Sequence, residues 1–179
     1  MNASIQPVAK RHAIHVASHI VKDARARPRD LREFQDFYRL WSRPVFTFCL
    51  LACGDRRQAE WLTEETFTWY FRHADFVALR RSPQIPVGLL RSAADLARNY
   101  GSRRRGAAST DFSQAVLELP FKERASFILV SVLSVHPSAA AVALRLSSSQ
   151  LASCWLAAAL RLHGLRLGFG EPPAMRPAA

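Results

Sequence analysis

Between residues 30 and 53 the apolar side chains Leu31, Phe34, Phe37, Tyr38, Trp41, Val45, Phe48 and Leu51 recur at steps of three and four. That spacing gathers them on one side of an amphipathic α-helix, with Asp30 placed as its N-cap and a bend expected at Pro44. Gly54 is placed to end this helix and Asp55 to cap the next. The second helix is predicted to reach about residue 76, with Ala59, Leu62, Thr66, Phe67 and Tyr70 on its inner face. A polar, proline-bearing stretch covers 77–86, and helix resumes over 87–100 through Leu89, Leu90, Ala93, Leu96 and Ala97. Four shorter helices are predicted over 111–118, 121–134, 137–145 and 148–163, and a Gly/Pro-rich tail follows.

Nothing alternates with period two over a useful length, so the fold is predicted to be all-α. The expected organisation is an N-terminal extension over 1–29, with room for a short helix at 8–25, then two small helical domains at 30–100 and 111–167. A basic linker over 101–110 joins the domains, and 168–179 forms the tail.

Charge sharpens this picture. The 179-residue chain carries a formal net charge of +11, which points to a polyanionic partner. Residues 1–106 hold 19 Lys and Arg against 10 Asp and Glu, whereas 107–179 hold 6 against 4. Arginine supplies nearly all of the excess, and its planar fork suits phosphate and base-edge contacts better than lysine does.

Other classes recede. Cys49, Cys53 and Cys154 make no disulfide framework, and the first residues lack the apolar core and cleavage site of a secretory signal, so a cytoplasmic location is expected. The run from 125 to 144 is uncharged and long enough to span a bilayer. His136-Pro137 interrupts it and four serines dilute it, so two buried helices meeting at a turn are expected rather than a membrane span. His12, His15 and His19 share one helical face, but without a matching carboxylate or thiol they are expected to be solvated rather than to hold a metal. No Gly-rich phosphate loop, carboxylate pair or Ser/Cys–His arrangement stands out, so neither catalysis nor a cofactor is expected.

Three segments carry a resemblance. Gly54-Asp55 followed by Ala59-Glu60-Trp61-Leu62-Thr63-Glu64-Glu65-Thr66-Phe67 resembles the region-two signature of bacterial sigma factors. The run from Leu89 to Asn99, ending in Arg103-Arg104-Arg105, is similar to that family's "W-L-x-x-I-A-R-N" helix with its arginine-rich end. Leu117-Glu118-Leu119-Pro120-Phe121-Lys122-Glu123-Arg124 resembles the entry to region four, and a helix-turn-helix follows without a gap. Their order and spacing resemble the small, two-domain extracytoplasmic-function (ECF) type, of which this chain would be a divergent member.

The resemblance implies a factor that binds core RNA polymerase and directs it to promoter DNA. Glu60, Trp61, Glu64 and Phe67 would contact the polymerase. Arg72, His73, Phe76, Arg80 and Arg81 would hold the melted −10 strand, where flipping a base calls for an aromatic pocket and flanking cations. The competing reading makes Phe76 core and the arginines a solvated loop. Arg98, Arg103, Arg104 and Arg105 would border nucleic acid in the linker.

The pattern also departs from the family. Trp61 replaces the usual aspartate, and two readings stand: an apolar contact with the polymerase, or a place in this protein's own core. Glu64 replaces the usual glutamine, Ala139 the usual glutamate, Arg145 the turn glycine, and Cys154 and Ala157 the usual arginines.

For the second domain the expected −35 reading set is Arg145, Ser148, Ser149, Gln150, Ser153 and Arg161. From Leu146 through Leu160 there is no charged side chain, although phosphate anchoring drives most affinity for duplex DNA. The alternative is a second domain that binds a protein, such as an anti-sigma factor or an activator, through an apolar surface around Trp155 and Leu156.

Overall fold

A computed structural model describes residues 28–73, 85–100 and 111–166, with side chains described over 34–70, 85–100 and 112–164. The described residues are all-α. In chain order they form α1 (Pro28–Cys53), α2 (Arg56–His73), α3 (Val87–Tyr100), α4 (Asp111–Glu118), α5 (Phe121–Phe127), α6 (Pro137–Leu144) and α7 (Ser148–Arg166). A π-helical segment, Ile128–Val132, continues α5 directly.

The junctions follow from local chemistry. Gly54 closes α1 with φ +75, and its N–H donates to the Leu50 carbonyl at 2.8 Å. Asp55 then caps α2, its Oδ1 accepting from the Gln58 N–H at 2.7 Å. Asp30 does not cap α1, because the helix already includes Pro28, a residue suited to a first helical turn. The helix continues through Pro44.

The helix after Pro120 ends differently from expectation. Its last turn widens, with the Leu133 N–H reaching back five residues to the Ile128 carbonyl at 2.9 Å. Ser134 then takes a left-handed conformation, and the Val135 N–H reaches the Leu129 carbonyl at 2.9 Å. His136 caps α6, with its Nδ1 accepting from the Ser138 N–H, and Pro137 opens the helix. The apolar run from 125 to 144 is thus broken, and no described helix is long and apolar enough to cross a membrane.

α1, α2 and α3 pack on one another, and an aromatic cluster fills the space between α1 and α2. Tyr38 and Phe67 lie 4.7 Å apart centroid to centroid, and Phe37 stacks on Tyr70 at 5.6 Å. Two buried hydroxyls find partners within α2: Thr63 donates to the Ala59 carbonyl and Thr66 to the Leu62 carbonyl, each at 2.7 Å.

In the second half α5 and α6 pack on α7. The two halves also touch. α4 and α5 lie against α1, α6 lies against α3, and their buried side chains join one continuous apolar cluster. The expected linker at 101–110 lies outside the described residues.

Candidate functional site

The Gly54–Asp55 turn starts α2 so that one side enters the core and the other stays in water. Ala59, Leu62, Thr66 and Tyr70 face inward, as their spacing predicts. Phe67 goes with them, fully buried at 0% exposure against Phe34, Phe37 and Tyr38. It has no surface to offer a partner, which corrects its placement among the polymerase-contacting residues. Helical period puts it inside; the linear motif does not.

The outer side of α2 is acidic and aromatic. Arg57, Trp61, Glu65 and Trp69 are exposed at four-residue steps, with Glu60 and Glu64 half-buried beside them. Glu60 pairs with Arg56 at 3.1 Å. Trp61 is 43% exposed, so it belongs to the surface rather than the core. Its ring meets Tyr100 edge to face at 5.8 Å, and Gln58 Nε2 donates to the Tyr100 carbonyl. The end of α3 is thereby tied to the start of α2. Trp69 is not singled out by the sequence motifs, although its spacing of eight from Trp61 is a helical signal.

Arg72 and His73 form the last residues of α2, and their side chains lie outside the described residues. Phe76, Arg80, Arg81, Arg103, Arg104 and Arg105 also lie outside them. Arg98 is exposed on α3. Its guanidinium sits 5.3 Å from the Phe121 ring centroid and 3.9 Å from Asp95.

A three-residue turn joins α6 to α7. Arg145 ends α6 in the left-handed region (φ 56, ψ 43), where its N–H reaches the Ala141 and Val142 carbonyls. The Leu146 N–H reaches the Ala141 carbonyl at 2.9 Å, completing the reversal. Ser147 and Gln150 then cap α7 reciprocally. The Gln150 N–H donates to Ser147 Oγ at 3.2 Å, and the Ser147 N–H donates to Gln150 Oε1 at 2.9 Å. Gln150 is thus partly committed to holding the helix start. Ser148, Ser149 and Ser153 are exposed on the first turns.

Both cations bordering the uncharged run are engaged by carboxylates. Arg145 pairs with Asp95 of α3 at 2.9 Å, and Arg161 lies 3.1 Å from Glu123 of α5, close enough for an ion pair but not aligned for a hydrogen bond. Along α7, Leu151, Ala158 and Leu162 are buried. Trp155 anchors by donating from Nε1 to Ser131 Oγ at 2.8 Å, while Leu156 and Leu160 stay 52% and 64% exposed.

Two thiols of α1, Cys49 and Cys53, are buried in the core. Burial pushes the Cys49 thiol up to about 12, and raises Cys53 as well, so neither is poised as a nucleophile. Among the described residues no three His, Cys, Asp or Glu side chains gather to hold a metal.

No protein-family model matches the chain, and no curated protein matches it closely enough to indicate kinship.

Proposed function

We propose that this chain is a divergent sigma-type transcription initiation factor, which binds core RNA polymerase and directs it to promoter DNA in the cytoplasm. The observation that carries the reading is the outer side of α2. Immediately after the Gly54–Asp55 turn it presents Glu60, Trp61 and Glu64 along one helix, with Trp69 a further two turns on. Such a face suits a basic, partly apolar helical partner: the tryptophans supply burial and the carboxylates supply charge. The excess of arginine and the helix-turn-helix of α6 and α7 agree with a nucleic-acid partner.

The test is co-migration of the purified chain with core RNA polymerase, followed by transcription and footprinting on a promoter library. Binding with start-site-specific transcripts is the expected result; a chain that never associates with core polymerase removes the reading.

A second reading has its own observation. Leu156 and Leu160 are exposed on α7, and the chain carries no charge from Leu146 in the preceding turn to Leu160. Under it, α7 binds an anti-sigma factor or activator instead of −35 DNA. Two results together would favour it: footprints at −10 alone, and release of a protein partner when Leu156 and Leu160 are replaced by serine.

A further inference from the structure

We infer that Asp95 is an internal phosphate mimic, which holds the helix-turn-helix against α3 and must be displaced before that motif engages duplex DNA. The inference rests on the nucleic-acid reading of α6 and α7 and adds a regulatory contact to it.

Arg145 occupies the turn between the two helices, where its guanidinium would be the natural anchor for a DNA phosphate at the start of α7. Instead Nη2 lies 2.9 Å from Asp95 Oδ2, fifty residues earlier in the chain. A carboxylate presents the guanidinium with the same oxygen acceptors and the same sign of charge as a phosphate. One helical turn earlier on α3, Arg91 Nη2 donates to the Val142 carbonyl at 3.1 Å, so α6 is held by its backbone as well.

Arg98, one turn beyond Asp95, covers the Phe121 ring of α5. Beside the apolar packing of α6 on it, α3 therefore makes three polar or cation–π contacts with the second half, each through an arginine or its partner carboxylate. No other charge is available along α7 until Arg161, and that residue is already beside Glu123. Phosphates approaching this motif meet cations that this chain has neutralised itself.

The Asp95–Arg145 pair is partly exposed, so it is weak enough for a polyanion to displace and is screened by salt. Opening would release Arg145 and leave Asp95 to solvent and to Arg98, 3.9 Å away on the same helix. The contact is thus a competitive gate, not a permanent strut.

The test is duplex binding by the full chain at low salt, read by fluorescence anisotropy with a labelled oligonucleotide duplex. Wild type is compared with Asp95→Asn, Asp95→Glu, Arg145→Gln and the Asp95→Asn/Arg145→Gln double variant. Asp95→Asn should bind about two- to fivefold more tightly, the range an exposed ion pair supplies. Its affinity should also fall more steeply with salt, by up to about 0.9 in the slope of log K against log salt. Asp95→Glu should stay near wild type, and the gain should vanish in the Arg145→Gln background.

Equal affinity of wild type and Asp95→Asn, including no detectable binding by either, overturns the inference. So does a gain that persists without Arg145. Core-polymerase binding of the same variants is measured in parallel. Its absence throughout would remove the transcription-factor reading without altering the ranking of duplex affinities.

Discussion

Leu117 of α4 lies directly over Gly54, the residue that turns the chain from α1 into α2. A Cβ added at Gly54 would overlap Leu117 Cδ1, and the glycine also holds φ +75. One residue therefore serves a local turn and a contact between helices more than sixty positions apart. Gly54→Ala should destabilise the chain by about 1–2 kcal/mol in urea unfolding, mostly through the left-handed backbone, because the Leu117 side chain can swing aside. Adding Leu117→Ala should then cost less in the Gly54→Ala background than in wild type, since the overlap has gone. Equal costs in both backgrounds would mean that the two residues are not coupled.

Arg145 poses the opposite case, a side chain where glycine is the easier residue. The left-handed conformation costs an arginine about 1 kcal/mol, and the exposed pair with Asp95 returns about 0.2–1 kcal/mol. Arg145→Gly removes both terms, so its net effect on stability should be small. Arg145→Ala removes only the pair and keeps the backbone cost. The glycine variant should therefore be about 1 kcal/mol more stable than the alanine variant by urea unfolding. Equal stabilities would mean that the left-handed turn is not maintained.

Much of the fold was legible because its boundaries are set by short-range chemistry. Val87–Tyr100, Asp111–Glu118 and Pro137–Leu144 form where proline, glycine and apolar period place them, and Asp55 caps α2 as its position before the helix suggests. The π-helical end at Ile128–Val132 was not legible, since nothing in that apolar run distinguishes a five-residue from a four-residue backbone step. Nor were the pairs Asp95–Arg145 and Glu123–Arg161, which depend on how distant helices dock. Phe67 shows where two kinds of sequence reasoning conflict. Period follows the physics of burial, whereas a linear motif mixes core and surface positions in one string.

The buried thiols make stability depend on alkaline pH. In the folded chain burial pushes Cys49 from its ordinary 9.0 up to about 12, and Tyr38 from 10.0 to about 12 through burial and then the charge of Glu64. A raised folded value means that only the unfolded chain ionises readily once pH exceeds the ordinary value. The contribution is therefore complete below about pH 8 and is lost as pH climbs from about 9 towards 12. Cys49 alone should lower the unfolding free energy by about 1 kcal/mol per pH unit across that window. Urea unfolding under reducing conditions at stepped pH should show a flat region followed by this decline. Cys49→Ala should start less stable and decline less steeply, and an unchanged slope would assign the effect elsewhere.

Trp61 and Phe67 sit on the same helix and should separate stability from binding. Phe67 is enclosed by Phe34, Phe37 and Tyr38, so Phe67→Ala leaves a cavity and should cost about 3–5 kcal/mol. Trp61 loses only its edge contact with Tyr100 and the area it partly covers, so Trp61→Ala should cost about 1 kcal/mol or less. If the outer side of α2 is the polymerase-binding face, the ranking reverses in a binding assay at a temperature where both variants are folded. Trp61→Ala should weaken association with core polymerase by about tenfold or more, as expected for a central aromatic anchor. Phe67→Leu, which keeps most of the buried volume, should bind as wild type does. Should Trp61→Ala bind normally while remaining folded, the polymerase contact must lie on a different surface, and the acidic–aromatic face of α2 would need another partner.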